Sequence, residues 1–117
     1  MTGTRYTDPS VLADTTVSTA ADQVRLGMAA MGQPALAAIV ATRRAVIPVA
    51  GVVRNYNILL GHDGIAGIKT GNTAAAGGCV LLAVRRQVGV HKVLIVAASF
   101  GQPGTTQTML AGRAQGR

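Results

Sequence analysis

Lys69-Thr70-Gly71 puts an ammonium and a hydroxyl on consecutive residues of a short β-compatible stretch, Gly67-Ile68-Lys69-Thr70-Gly71-Asn72-Thr73. That pair of donors can hold a carboxylate by charge-assisted hydrogen bonds. The flanking glycines, Gly67 and Gly71, let a peptide approach the backbone closely. An unpaired strand edge can take up an extended peptide through its main-chain N–H and C=O groups. These residue types in this order suit recognition of the C-terminal end of a peptide. The strand is predicted over Ile65 to Thr70, with Lys69 at its end and a polar turn after it. Each residue also has a plainer reading. Lys69 fits an exposed strand-end charge, and Thr70 and Thr73 fit ordinary β-formers.

Other chemistry-bearing residues are less persuasive. His62-Asp63 looks like a catalytic pair only on paper, because adjacent strand residues face opposite ways. It reads as turn chemistry. Arg54 and Arg43-Arg44 can bind an anion or simply be solvated charges. His91 falls at a predicted hairpin and reads as exposed. Cys79 stands alone in an apolar run and reads as a small buried hydrophobe. One cysteine makes no internal disulfide, and no Cys and His at metal spacing suggest zinc. The serines are Ser10, Ser18 and Ser99, and none has a lysine three residues later or begins an S-x-N. No phosphate-binding G-x-x-x-x-G-K-S/T loop occurs. No cofactor is expected.

Elements to position this stretch can be read on both sides of it. Residues 1–17 are turn-rich, broken at Asp8-Pro9-Ser10. A helix is predicted from Thr19, whose hydroxyl can cap the first turn while Asp22 complements the positive helix end. Val24, Met28 and Met31 then form one apolar stripe at i, i+4 and i+7. Gly32-Gln33 ends it, and Pro34 suits the first turn of a second helix through Leu36, Ile39 and Val40. Ala45 to Val49 reads as a short extended segment that Pro48 restricts to an edge. Asn55-Tyr56-Asn57-Ile58-Leu59-Leu60 passes from polar to apolar and should dock on the core. Cys79 to Arg85 and Lys92 to Ala98 are apolar runs joined as a hairpin. Unbroken runs of this kind imply that both sheet faces are covered, with helices flanking the sheet.

Composition sets the limits. The chain has 117 residues, 49% apolar and 3% aromatic, with no Trp and no Glu. A core of Ala, Val, Leu, Ile and Met buries little area per residue, so it is weakly stabilised for its length. The formal charge is +7. Such a balance favours polyanions, whether nucleic acid, acidic lipid or cell-wall polymer, although arginine-rich composition also follows from a GC-rich genome. The basic residues lack the interleaved aromatics of single-strand nucleic-acid binders. No signal peptide is expected, since Met1 to Pro9 has no apolar h-region. Leu26 to Thr42 is uncharged but reads as two helices rather than a membrane span.

The order of several motifs resembles the serine-type D-Ala-D-Ala carboxypeptidases, the low-molecular-weight penicillin-binding proteins. Met1 to Ser10 is similar to that family's L-G-M-x-x-T-x-F-x-D/N-P segment. Ser18-Thr19-Ala20-Ala21-Asp22 is similar to its S-T-A-x-D helix start. Asn55 to Leu60 is similar to N-x-N-x-L-L, Gly67 to Thr73 to G-I-K-T-G-x-T, and Ala76-Gly77-Gly78-Cys79-Val80 to A-G-x-C-L/V. K-T-G is one of three signatures of β-lactamases and penicillin-binding proteins, beside S-x-x-K and S-D-N. Only the third is present. The resemblance also departs from the family at Ala66, where an acidic residue is usual, at Val11 in place of Gly, and at Asn72 in place of an aromatic residue or His.

The resemblance implies an α/β (α+β) fold, an antiparallel sheet flanked by helices, as an incomplete β-lactamase/transpeptidase-like domain. Residues 1–42 would give the turn and helical part, 43–102 the K-T-G strand and sheet hairpin, and 103–117 a helix start, from Thr105-Thr106, and tail. Lys69, Thr70 and Gly71 would be the catalytic-site residues. Asn72, through an oxyanion-stabilising N–H, Thr73 and Arg54 would contact substrate. The implied partners are stem peptides of peptidoglycan ending in D-Ala-D-Ala, β-lactams and the N-terminal half of the same domain, with no nucleic acid. The implied activity is release of the terminal D-Ala through an acyl-enzyme in the cell envelope, with this stretch inactive alone for want of its nucleophile. Two alternatives stand beside it: a non-catalytic remnant that binds peptidoglycan peptides, and a small basic nucleic-acid-binding protein.

Overall fold

A computed structural model of the chain describes residues 1–10, 12–104, 110 and 114. The first helix, α1, spans Ala20–Met31. Thr19 is extended, and its hydroxyl accepts the Asp22 N–H at 3.1 Å, which satisfies one of the free donors of the first turn. Helix α2, Pro34–Val40, starts on its proline, which has no N–H to leave unpaired.

Strands β1, Arg44–Ile47, and β2, Gly51–Arg54, form a separate two-stranded antiparallel ribbon. Strands β3, Ile65–Thr73, β4, Gly77–Val88, and β5, His91–Gln102, form an antiparallel sheet in the order β3-β4-β5. The α+β architecture read from the sequence is therefore the one observed.

Burial is deepest on the central strand. Val80 to Val84 are all buried, so both faces of β4 are covered there. Val80, Leu82 and Val84 pack with Leu59, Leu60 and Ile65 on one face. Ala83 packs with Met31 of α1 and Ala37 of α2 on the other. Alternate residues of one strand thus join two cores. Two glycines let the helices come close. A Cβ on Gly27 would stand 2.9 Å from Val96 Cγ1 and 3.1 Å from Leu81 Cδ2. A Cβ on Gly67, whose φ is +151°, would stand 2.8 Å from Val40 Cγ2 of α2.

Several expectations need correction. The contact stripe of α1 is built on Gly27 and Met31, while Met28 is exposed. A small residue, which brings helix and sheet together, replaces the large one the periodicity selected. Leu36 and Ile39 of α2 are also exposed, and Ala37 is the buried residue. The extended segment before residue 50 has a partner, β2, that apolar periodicity did not reveal. Both helices lie against one face of the sheet among the described residues; Leu59 and Leu60 cover the other. The expected docking of Asn55 to Leu60 holds. Asn55 Nδ2 donates to the carbonyl of Thr42, and Asn57 Oδ1 accepts from Leu59 N–H, fixing the turn that buries both leucines. The helix start expected at Thr105-Thr106 lies outside the described residues.

Candidate functional site

Lys69, Thr70, Gly71, Asn72 and Thr73 lie together on β3, which pairs with β4 on one side only among the described residues. The strand is not finished at Lys69 or Thr70, as the sequence suggested. It continues to Thr73, paired with Gly77, because the turn sits at residues 74–76 and the β-branched threonines suit the extra strand length. Lys69 is therefore central in β3, with its backbone held against Leu81.

The strand changes character along its length. Ile65 and Gly67 are buried, whereas Lys69, Asn72 and Thr73 are exposed. The Lys69 ammonium donates to the carbonyl of Thr70. Asp22 pairs with Arg25 at 3.3 Å, and among the described residues no carboxylate forms an ion pair with Lys69. The Thr73 hydroxyl accepts the Ala76 N–H at 3.0 Å, closing the turn. Its own proton remains available to a ligand. Thr70 is half-buried, and its hydroxyl makes no hydrogen bond among the described residues.

Arg54 is not brought to this strand. It ends β2, opposite Arg44 in the ribbon, and its side chain makes no hydrogen bond or ion pair among the described residues. His62 and Asp63 sit in the tight turn before β3, with Asp63 at φ +50°. His91 is the exposed first residue of β5. Cys79 is half-buried rather than buried, at a break in the β4–β5 register opposite Gly71, its thiol near the carbonyls of Ala76 and Gly77.

None of the three serines is armed as a nucleophile. Ser10 hydrogen-bonds Asp8 within its own turn. Ser18 Oγ is engaged by Thr4 and by Gln23 Nε2. Ser99 is buried on β5 opposite Val80. Among the described residues no serine hydroxyl meets a lysine or histidine side chain, so none has a base to take its proton.

Sequence reasoning gave Asp22 only a helix-end role, and the structure gives it another. Its carboxylate is buried and accepts from the Thr4 hydroxyl at 2.7 Å and from Gly3 N–H at 2.9 Å. These hydrogen bonds, led by that of Thr4, hold its pKa below the ordinary carboxylate value. Asp22 thereby ties the first residues of the chain to α1. An aspartate three residues after a capping threonine was the available signal.

No family model matches the sequence, and no curated protein matches it. Solved structures do. A D-alanyl-D-alanine carboxypeptidase from Mycobacterium tuberculosis is 30% identical with a TM-score of 0.72, over 98% of this chain and 46% of that one. A penicillin-binding protein from Listeria monocytogenes, solved in a cefotaxime-bound form, is 23% identical with a TM-score of 0.72, over 96% and 45%. A mutant of a Streptomyces DD-transpeptidase is 21% identical with a TM-score of 0.71, over 86% and 42%. The last two establish the fold. Together with the motifs above, these likenesses show that the chain is similar to D-alanyl-D-alanine carboxypeptidases and penicillin-binding proteins. The chain spans less than half the length of each of these three neighbours.

Proposed function

We propose that residues 1–117 carry the carboxylate-gripping part of a serine-type D-Ala-D-Ala peptidase site. The observation that carries this reading is Lys69-Thr70-Gly71 at the middle of β3, with one strand edge unpaired among the described residues and no carboxylate on the lysine. A stem peptide lies along β3 as an added strand, held by main-chain hydrogen bonds. Its terminal carboxylate takes the Lys69 ammonium and the Thr70 hydroxyl. Thr73 donates its free proton beside them, and Gly71 leaves room for the peptide backbone. The Asn72 N–H faces the carbonyl that becomes an oxyanion during acyl transfer. Arg54 contributes through longer-range attraction of the anionic peptide from the ribbon.

The reaction of such a site is attack by serine on the penultimate D-Ala carbonyl, departure of the terminal D-Ala, and hydrolysis of the ester. β-Lactams enter the same path and stop at the acyl-enzyme. These 117 residues contain no S-x-x-K and no S-x-N. By themselves they bind and do not acylate. The cell envelope is the setting that this substrate requires.

The test is a ¹⁵N titration of the chain with a peptide ending in D-Ala-D-Ala and with its C-terminal amide. Shifts confined to Lys69–Thr73 with the acid, and at least tenfold weaker binding by the amide, are expected, since a hydrogen bond to a charged group contributes roughly 1.5–3 kcal/mol. Equal binding of acid and amide, or no shifts on β3, refutes the assignment.

A further inference from the structure

The pole of the molecule away from Thr73 carries a feature that the peptidase reading does not use. The β1–β2 ribbon has an uncharged run, Ala45 to Val53, bounded by Arg43-Arg44 and Arg54. Its valines stand in solvent: Val46 is 78% exposed, Val49 109% and Val52 61%. The β4–β5 hairpin repeats the pattern. Val88 and Val90 at its turn are 59% and 88% exposed, between Arg85-Arg86 and Lys92.

The root of the β1–β2 ribbon and the turn end of the β4–β5 hairpin meet at the start of β3. Arg85 N–H donates to Gly64 O at 2.8 Å, and Gly61 N–H to Ile65 O at 3.0 Å. The Arg43 side chain lies 3.8 Å from where a Cβ on Gly61 would stand. One short turn, residues 59–65, therefore separates the root of the ribbon from the turn end of the β4–β5 hairpin. The far end of β4, where Gly77 pairs with Thr73, is about 36 Å from Val88 at 3.3 Å per residue. Six of the 11 basic residues gather at this pole: Arg43, Arg44, Arg54, Arg85, Arg86 and Lys92. The single carboxylate after Asp22 is Asp63, in the turn between the hairpins.

We propose that this pole is a docking surface for an anionic lipid bilayer, with the two valine tips entering the interface and the arginine collars resting on the headgroups. Apolar side chains rimmed by arginine and lysine are the pattern of interfacial anchoring. No described helix is long and apolar enough to cross a membrane, so contact of this kind is at the surface. Charge decides against two other occupants. A second copy, also at +7, would bring arginine collar against arginine collar. A nucleic acid would satisfy the arginines but leave the valines in water, with no aromatic residue at either tip to stack on bases. Bound in this way, the chain keeps the Thr73 end of β3 on the side away from the bilayer. The inference does not depend on the peptidase reading.

The experiment is density flotation of the full chain with vesicles of phosphatidylcholine alone or with added phosphatidylglycerol. Flotation separates bound protein from any aggregate, which sediments. The chain should rise with the anionic vesicles and not with the neutral ones. Arg44→Gln and Arg54→Gln should each weaken binding about fivefold, the value of one basic residue near such a surface. Val49→Asp and Val90→Asp should each weaken it at least about tenfold at unchanged circular dichroism, because a carboxylate replaces inserted hydrocarbon. Three results overturn the proposal: no rise with anionic vesicles, equal rise with both vesicle types, or valine variants that bind as the parent does. A dimer in sedimentation velocity that Val49→Asp abolishes assigns the surface to a second copy instead.

Discussion

Gly27→Ala sets two opposing effects against each other, and the structure decides the sign. Alanine in a helix interior gains about 0.8–1 kcal/mol over glycine. Here the new methyl would sit 2.9 Å from Val96 Cγ1 and 3.1 Å from both Ile68 Cδ1 and Leu81 Cδ2. Val96 is β-branched and stiff at χ1, and its backbone is locked opposite Ala83 in the sheet. It cannot swing aside as a lysine would. Overpacking of this sort costs roughly 1–3 kcal/mol, so the net change should be a loss of up to about 2 kcal/mol. Val96→Ala alone should cost about 1 kcal/mol for a partly buried pair of methyl groups. The two changes together should recover stability, since the methyl at position 27 takes the space that Cγ1 vacates. A double-mutant cycle in urea, followed by far-ultraviolet circular dichroism at low micromolar concentration, should give about 1–2 kcal/mol of favourable coupling. Additivity within about 0.5 kcal/mol, or stabilisation by Gly27→Ala alone, would show that α1 does not approach the sheet through Gly27.

Further outcomes follow from the same geometry. Mass spectrometry after incubation with excess penicillin should show no covalent adduct on residues 1–117; a stoichiometric adduct on Ser10, Ser18 or Ser99 would mean that a different catalytic arrangement is present. The Asp22 pKa is lowered in the folded chain by its hydrogen bonds from Thr4 and Gly3. Its contribution is therefore complete above the ordinary carboxylate pKa and is lost as pH falls through the lowered folded value; urea midpoints of the parent should drop on acidification more than those of Asp22→Asn, and parallel curves would refute the linkage. The edge of β5, twelve residues long and unpaired among the described residues, should make the chain self-associate at high concentration. A monomer throughout a sedimentation concentration series would contradict that.

What could be read from sequence followed the strength of the local signals. The Thr19 cap, the proline start of α2 and the β4–β5 hairpin were legible because each rests on neighbouring residues. Docking of Leu59 and Leu60 was legible from the polar-to-apolar passage of Asn55 to Leu60. The faces of the helices were not. Periodicity weights large apolar residues, so it selected Met28, whereas close packing on a sheet is made by the small ones, Gly27 and Ala37. Strand β2 was missed because Gly51-Val52-Val53-Arg54 has neither alternation nor a buried face. Its pairing with β1 is a property of the turn at residues 48–50. Arg54 entered the candidate site through its charge alone, and charge carries no information on which sheet holds it.

The two halves of β3 explain why a weakly apolar strand can serve as a site. At its start Ile65 enters the core with Leu82 and Val84, and Gly67 admits Val40 of α2. These contacts fix the strand's register against β4 before Lys69 is reached. From Lys69 on, the side chains leave the core while the backbone stays paired through Thr73. The ammonium and hydroxyls are thus held by main-chain hydrogen bonds and by burial elsewhere, and they need no packing of their own. Lys69 pairs with Leu81, within the buried run Val80 to Val84 of β4, on backbone that cannot shift without breaking that pairing. In the proposed binding mode a carboxylate arriving at the edge left unpaired among the described residues meets an ordered backbone, and the Lys69 side chain is what remains to be ordered.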